Sequence, residues 1–422
     1  MFTQYKLPNG LRVILAPKHE TNAVSLLVVA KVGSRSEVPS EQGIAHFLEH
    51  LMFKGTKRRP NTQIISQELD AIGADYNAYT SKDHTAYYIK ASSAHLELVA
   101  DMLSDMLTES IFAPEELERE RGTILEEINM YEDNPMAKVG DLFEEDMFGK
   151  NTALGHHVIG TPAHIKSITQ KQIVAYWKKH YQAANMVVAL SGKFKNAQAL
   201  ALLKKKFGAI KRGQLNRVKP VGKFGQSTKL VAHHKATNQG HLVLGFPGIS
   251  YTNKNREALS LLAIILGGNM SSRLFINVRE RLGLCYFIRA GLETYEDAGA
   301  FVIQAGLDLS KIDKALAAIS RELKDIKQNG VKADELNKAK QYVKGKTDLG
   351  LEESLDVASF FAKQALFYKK IQTPEQAMAK IMAVKIGDIQ AVANEILDKK
   401  RLHIATLAPF KDINKFAAFV DI

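Results

Sequence analysis

Two histidines four residues apart, His46 and His50, with Glu49 beside the second, are the residues of this 422-residue chain whose types and spacing suit metal chemistry. Four residues make slightly more than one helical turn, so in a helix both imidazoles project from one face. Nitrogens so placed can reach one zinc ion at about 2.0–2.1 Å each, and Glu49, three residues from His46, stands over the same face. A carboxylate there can take a proton from a water held by the metal and pass it to a leaving amine. A catalytic zinc needs a third protein ligand. The stretch from Pro114 offers two candidates: Leu117, Ile124, Ile128 and Tyr131 form an apolar stripe, and Glu120 and Glu127 fall within it. Carboxylates on a buried face are costly unless paired or metal-bound. Seven residues separate the two by about 10 Å along the axis, so only one can be the ligand and the other must support it. Helical geometry does not say which.

The elements that must hold these residues are legible in outline. Gln4 to Leu15 reads as a hairpin around Asn9-Gly10, and Ala23 to Val32 as a buried strand. A helix is expected from Ile44, and a second from Thr62 to Ile72, ending at Gly73. Asn77 to Lys90, rich in Tyr and Thr, alternates as a strand does, and helices follow at Ser93–Leu107 and Pro114–Tyr131. Later in the chain Leu242–Phe246 reads as a strand, then Asn255–Leu266 and Ser272–Arg281 as helices, repeating the first half's order. The basic, Gly/Pro-containing stretch near the midpoint is the linker candidate. The reading is therefore α+β, with two similar domains, 1–212 and 229–422, joined by a linker at 213–228. Each is expected to be a sheet covered on one side by helices, an internal pseudo-repeat.

Composition narrows the function classes. Cys285 is the single cysteine, which excludes an intrachain disulfide framework and any multi-cysteine metal site. Apolar runs such as Leu259–Leu266 fall short of a membrane span and the N-terminus lacks a signal-peptide pattern, so a soluble, cytoplasmic protein is expected. The net charge of +12 lies in the second half, where lysines are scattered among acids rather than clustered with stacking aromatics. That distribution argues against nucleic acid and leaves two readings, a solvated face or a basic inner wall that attracts acidic peptides. The adjacent pairs His156-His157 and His233-His234 face different ways and are assigned no metal. The doubled glycine Gly267-Gly268 is no phosphate loop, since no Gly-Lys-Ser/Thr follows it.

The run Gly43-Ile44-Ala45-His46-Phe47-Leu48-Glu49-His50-Leu51-Met52-Phe53-Lys54-Gly55-Thr56 resembles the signature of the pitrilysin, insulin-degrading enzyme and mitochondrial processing peptidase family. The resemblance continues through Glu118-Arg119-Glu120 and Glu126-Glu127-Ile128, and implies Glu127 as third zinc ligand and Glu120 as the supporting acid. It implies an edge strand for substrate within Gly73–Tyr88, including Asn77 and Ala78, and a side-chain pocket at Phe53. Segments 267–275 and 279–286 are similar to the family's C-terminal half, which implies that Arg279 and Tyr286 bind substrate and stabilise the oxyanion. The activity so implied is a zinc metalloendopeptidase acting on peptides or small unfolded proteins inside a closed chamber. By the same resemblance the chamber comes from pairing two chains, as a homodimer or with a non-identical partner of the family. A non-catalytic core subunit of the same fold is the alternative, and an intact His-x-x-Glu-His weighs against it.

Overall fold

The computed structural model describes residues 2–222 and 229–409, so the part of the expected linker at 223–228 lies outside the described residues. The strands are β1 (Thr3–Lys6), β2 (Arg12–Pro17), β3 (Ala23–Ala30), β4 (Asp75–Thr80), β5 (Thr85–Ser92), β6 (Met186–Gly192), β7 (Lys229–His234), β8 (Gly240–Pro247), β9 (Cys285–Thr294), β10 (Gly299–Leu307) and β11 (His403–Ala408). The helices of the first half are α1 (Ile44–Leu51), α2 (Thr62–Asp70), α3 (Leu96–Glu109), α4 (Pro114–Asp133), α5 (Pro135–Phe148), α6 (Pro162–Ser167), α7 (Gln170–His180) and α8 (Asn196–Phe207). Those of the second half are α9 (Arg256–Ala263), α10 (Ile312–Asn329), α11 (Ala333–Gly350), α12 (Ser354–Phe367), α13 (Pro374–Ala383) and α14 (Ile386–Ile396).

Two sheets result, ordered β1-β2-β6-β3-β5-β4 and β7-β11-β8-β10-β9. Without β1 they have one topology. β2 pairs parallel to β6 as β7 does to β11, and every other neighbouring pair is antiparallel. The repeat suspected from element order is thus a repeat of strand connectivity.

The central strands are apolar on both faces. Along β3, Val24, Leu26 and Val28 join the main core with helices α1, α3, α7 and α8. Leu27 and Val29 point the other way, into a second cluster closed by Ala358, Phe361, Ala362 and Ala365 of α12. Successive strand residues face opposite sides, so a continuous apolar run demands cover on both. In addition to the expected helical layer, therefore, a single helix lies on the opposite face. The second sheet has the same arrangement with α5, whose Val139, Leu142 and Phe143 pack on Val243, Ala300, Ala405 and Leu407.

These two helices redistribute the chain. One compact unit comprises 1–128, 156–219 and 347–374; the other comprises 129–155, 220–346 and 375–422. The expected contiguous division thus differs from the observed units by α5 and α12, each of which covers the sheet made by the other half of the sequence. The segment expected as one strand across 77–90 is a hairpin. β4 and β5 pair from Asp75↔Lys90 to Thr80↔Thr85, and the turn is closed by Ser81, whose N–H donates to the His84 carbonyl at 2.8 Å. Alternation continues through such a turn, which is why periodicity alone did not reveal it. The expected helices near 255–266 and 272–281 end in π-helical turns, Ile264–Gly268 and Phe275–Glu280.

Candidate active site

The eight residues of α1 are anchored by Ile44, Ala45, Phe47, Leu48 and Leu51, all buried. His46, Glu49 and His50 are left on the remaining, partly open face. The helix starts from Gly43 at φ +88°, a left-handed conformation that favours glycine. Its first amides are capped from a distance: the buried Glu37 carboxylate accepts from Gly43 N–H at 2.9 Å and Ala45 N–H at 3.0 Å. Glu37 precedes the helix by several residues with no capping-box spacing, and sequence reading missed it.

Helix α4 buries Leu117, Ile124 and Ile128, and Glu120 with them. Tyr131, expected on this stripe, is exposed. The anomaly of an acid on the apolar face is resolved by its partners. Glu120 Oε2 accepts from His50 Nδ1 at 3.0 Å, and its Oε1 pairs with Lys54 Nζ at 2.7 Å. Burial alone would raise the Glu120 carboxyl, but His50 and Lys54 bring it below the ordinary carboxylate range. With Nδ1 turned to Glu120, Nε2 of His50 faces Glu127 and the space a metal would fill.

Glu127 Oε2 lies 3.7 Å from His46 Nε2 and 3.6 Å from His50 Nε2. Those distances exceed an ordinary hydrogen bond and approach the roughly 3.3 Å edge of a tetrahedron with zinc–ligand bonds of about 2.0–2.1 Å. Among the described residues, His46, His50 and Glu127 form the one group of three or more such side chains whose donor atoms all lie within 4.8 Å of one another. The donor set fits zinc. His46 is held down at about 4 by burial and by His50, so it presents a neutral lone pair. Burial would lower His50 too, yet Glu120 and Glu127 raise it to about 9, the electrostatics of a site that accommodates positive charge. Glu127 is correspondingly lowered, first by its contact with His50.

Glu49, on the same face, is raised by burial, and Thr80 Oγ1 donates to its Oε2 at 2.5 Å. Thr80 ends β4. Thr80 and Lys54 are two further site residues without a sequence signal: one reaches Glu49 from strand β4, the other reaches Glu120 from the bend that follows α1. β4 pairs only with β5 and so is the edge of its sheet among the described residues. Asn77 and Ala78 lie on it, and Phe53 faces Tyr76 at 6.4 Å between ring centroids. Phe53, Thr62, Ile65, Ser66, Tyr76 and Asn77 line a cavity of about 200 Å³.

Arg279 and Tyr286 belong to the second unit. The structure brings them to each other: the Arg279 guanidinium sits 4.5 Å from the Phe275 ring centroid and 5.6 Å from that of Tyr286, whose side chain is exposed. Cys285 beside them is buried and unbridged.

A helix-borne pair of histidines, a carboxylate from a second helix and a further glutamate beside them define a metallopeptidase-type site on a duplicated two-sheet fold. The comparisons agree. Residues 12–162 match the family model "Insulinase (Peptidase family M16)", and residues 167–343 match "Peptidase M16 inactive domain". An uncharacterized zinc protease of Streptomyces coelicolor is 35% identical over 414 residues, covering 96% of this chain and 89% of its own length. One from Bacillus subtilis is 32% identical, covering 94% of this chain and 96% of its own. A crystal structure of a protease from Helicobacter pylori superposes with a TM-score of 0.89 at 26% identity, over 96% of this chain and 99% of that one. The chain belongs to peptidase family M16, as its resemblance to pitrilysin and the insulin-degrading enzymes implied. No helix among the described residues is long and apolar enough to cross a membrane.

Proposed function

We propose that this protein is a zinc metalloendopeptidase, with His46, His50 and Glu127 as ligands and Glu49 as general base. The observation that carries the reading is the pair of 3.6–3.7 Å separations between Glu127 and the two imidazoles, with Glu49 on the same helix face. Zinc bound there supplies a Lewis acid that polarises the scissile carbonyl and acidifies water. Glu49 takes a proton from the attacking water and returns it to the leaving amine; its burial makes it a better base than an exposed carboxylate. Thr80 holds one oxygen of that carboxylate and leaves the other for water. Glu120, braced by Lys54, fixes the His50 ring. The open edge of β4 at Asn77 and Ala78 takes an extended peptide as an added strand, and Phe53 receives a neighbouring side chain. Arg279 grips the substrate carbonyl and Tyr286 donates to the oxyanion.

The working form in this proposal is a homodimer enclosing a chamber that admits peptides and excludes folded proteins, with the zinc of one chain served by Arg279 and Tyr286 of the other. Stoichiometric zinc, with peptide cleavage abolished by a chelator and restored by the metal, is the expected result. Zinc absent from protein purified with ample metal, together with no cleavage, turns the assignment to a scaffold subunit. Mixing Glu49→Gln with Arg279→Ala protein should restore part of the activity; no recovery after verified subunit exchange places each site within one chain.

A further inference from the structure

The duplication gives the zinc site an equivalent position in the second unit. Helix α11 follows α10 as α4 follows α3, and with their first residues aligned the buried positions of the first two turns coincide: Leu117 with Leu336, and Glu120 with Ala339. In that alignment Glu127 corresponds to Lys346. The segment at the place of α1, α9 with its π-helical extension, contains no histidine. The ligand position has changed sign and the supporting acid has become a methyl group.

Open space remains. Asn269, Ser271, Asn337, Lys338, Gln341 and Lys346 line a cavity of about 690 Å³, in the size range of small-ligand sites. Its lining carries two ammonium groups, amide and hydroxyl donors and no carboxylate, together with the side chains of Met270 and Tyr342. The nearest acids are occupied. Arg273 holds Glu335 at 2.6 Å and Asp325 at 2.7 Å, and donates to the Gly330 carbonyl at 3.0 Å. Asp334 meets Lys338 at 3.2 Å, but both side chains are exposed and such a bridge is weak.

The loop on the other wall is built. At Gly267 a Cβ would lie 2.3 Å from the Ala290 nitrogen, so only glycine lets the chain approach β9 that closely. Asn269 Oδ1 then accepts from the Ser271 N–H at 3.0 Å and hydroxyl at 2.9 Å, and its carbonyl accepts from the Ser272 hydroxyl at 2.6 Å. Lys346 is steadied by the Tyr342 ring, 6.0 Å from Nζ.

We propose that this cavity binds carboxylate groups of acidic peptides, with Lys338 and Lys346 as the charged contacts and the Asn269, Asn337 and Gln341 amides as donors. It is the cation site of the first unit turned into an anion site by the same fold. A nucleic acid is disfavoured by the lone aromatic ring, which is already occupied by Lys346. The ligand's being a peptide rests on the peptidase reading; the anion preference does not.

The test uses zinc-loaded Glu49→Gln protein, which retains the whole chain without turnover. Two fluorescent peptides of one sequence are titrated, one with acidic residues and a free C-terminus, the other with those residues as amides and the terminus amidated. The acidic peptide should bind about tenfold more tightly at low salt, and the advantage should disappear when Lys338→Glu and Lys346→Glu are added, with zinc content and circular dichroism unchanged. Lys346→Gln alone should lose part of it. Equal affinity for the two peptides, or an advantage that survives the double charge reversal, overturns the proposal; so does equal competition by a single-stranded oligonucleotide. In the active protein the double charge reversal should raise KM for the acidic peptide with kcat unchanged. An active-site sequence that cleaves no peptide while the binding preference stands removes the peptidase reading and leaves the anion site.

Discussion

Helices α4 and α11 occupy equivalent places in the two units, and one carries Glu120 and Glu127 where the other carries Ala339 and Lys346. Leu117 and Leu336 coincide, as do the places in the sheet order of the strands before and after each helix. A duplicated scaffold keeps the residues that pack and lets the residues facing open space diverge, because a core position is constrained by volume while a site position is constrained by its ligand. The open face of the first unit gathers His46, His50 and Glu127, with Glu49 on the same helix as the two imidazoles. Among the described residues of the second unit no such cluster of His, Cys, Asp and Glu donors is found.

That contrast can be broken most directly at Glu49, which falls opposite Leu261 when α1 and α9 are aligned at their first residues. Glu49→Gln should lower kcat by about 10²–10⁴-fold with zinc content retained, measured by peptide cleavage and metal analysis on one preparation. Loss of zinc as well would make Glu49 structural. Next in size, Glu120→Gln removes the acceptor that orients His50 and should weaken zinc binding by about 10–100-fold in chelator competition, with Lys54→Met moving it in the same direction by less. Unchanged zinc affinity would reduce the His50–Glu120 contact to packing.

Acid should act on both units, since burial also lowers His241 of β8 in the second, and should weigh more heavily on the first. In the first, burial, with Lys363 adding to it, depresses His84 to about 3, and burial depresses His180 to about 4. Below about 6.5 the unfolded chain protonates these imidazoles while the folded chain does not, so stability should fall as pH drops from about 6.5 toward 4 and be unaffected by them above that window. Hydrogen exchange along a pH series should show β4 and β5 losing protection before β8 and β10, and His84→Gln should reduce the difference. The smallest effect concerns Gly122, in the middle of α4. A Cβ there meets nothing within 4 Å, so close packing does not require glycine, and Gly122→Ala should stabilise the protein by about 1 kcal/mol in chemical denaturation.

How far the site was legible follows the range of the interaction that makes each part. His46, Glu49 and His50 are set by one turn of helix, so their common face could be deduced from spacing. The acids of α4 betrayed themselves by lying in an apolar stripe, but the choice of Glu127 over Glu120 needed the family resemblance, and in the structure it rests on one oxygen standing near two imidazoles from another helix. Glu37, Lys54 and Thr80 had no signal, since each acts on a partner brought close by folding. The hairpin of β4 and β5 read as one strand because Ser81–His84 turns without glycine and alternation ignores direction.

By itself the sequence determined the element types, the duplication of their order and the helix that presents two imidazoles and a carboxylate, because these depend on neighbours within a turn or two. Only the tertiary structure decided that α5 and α12 each cover the sheet built by the other half of the chain. An amphipathic pattern specifies that a face must be buried, and several apolar sheets satisfy it equally until chain connectivity and shape select one. The same holds for the donor atoms of His46, His50 and Glu127: their chemistry is written in residue types, while their separations are set by two helices packing into one core.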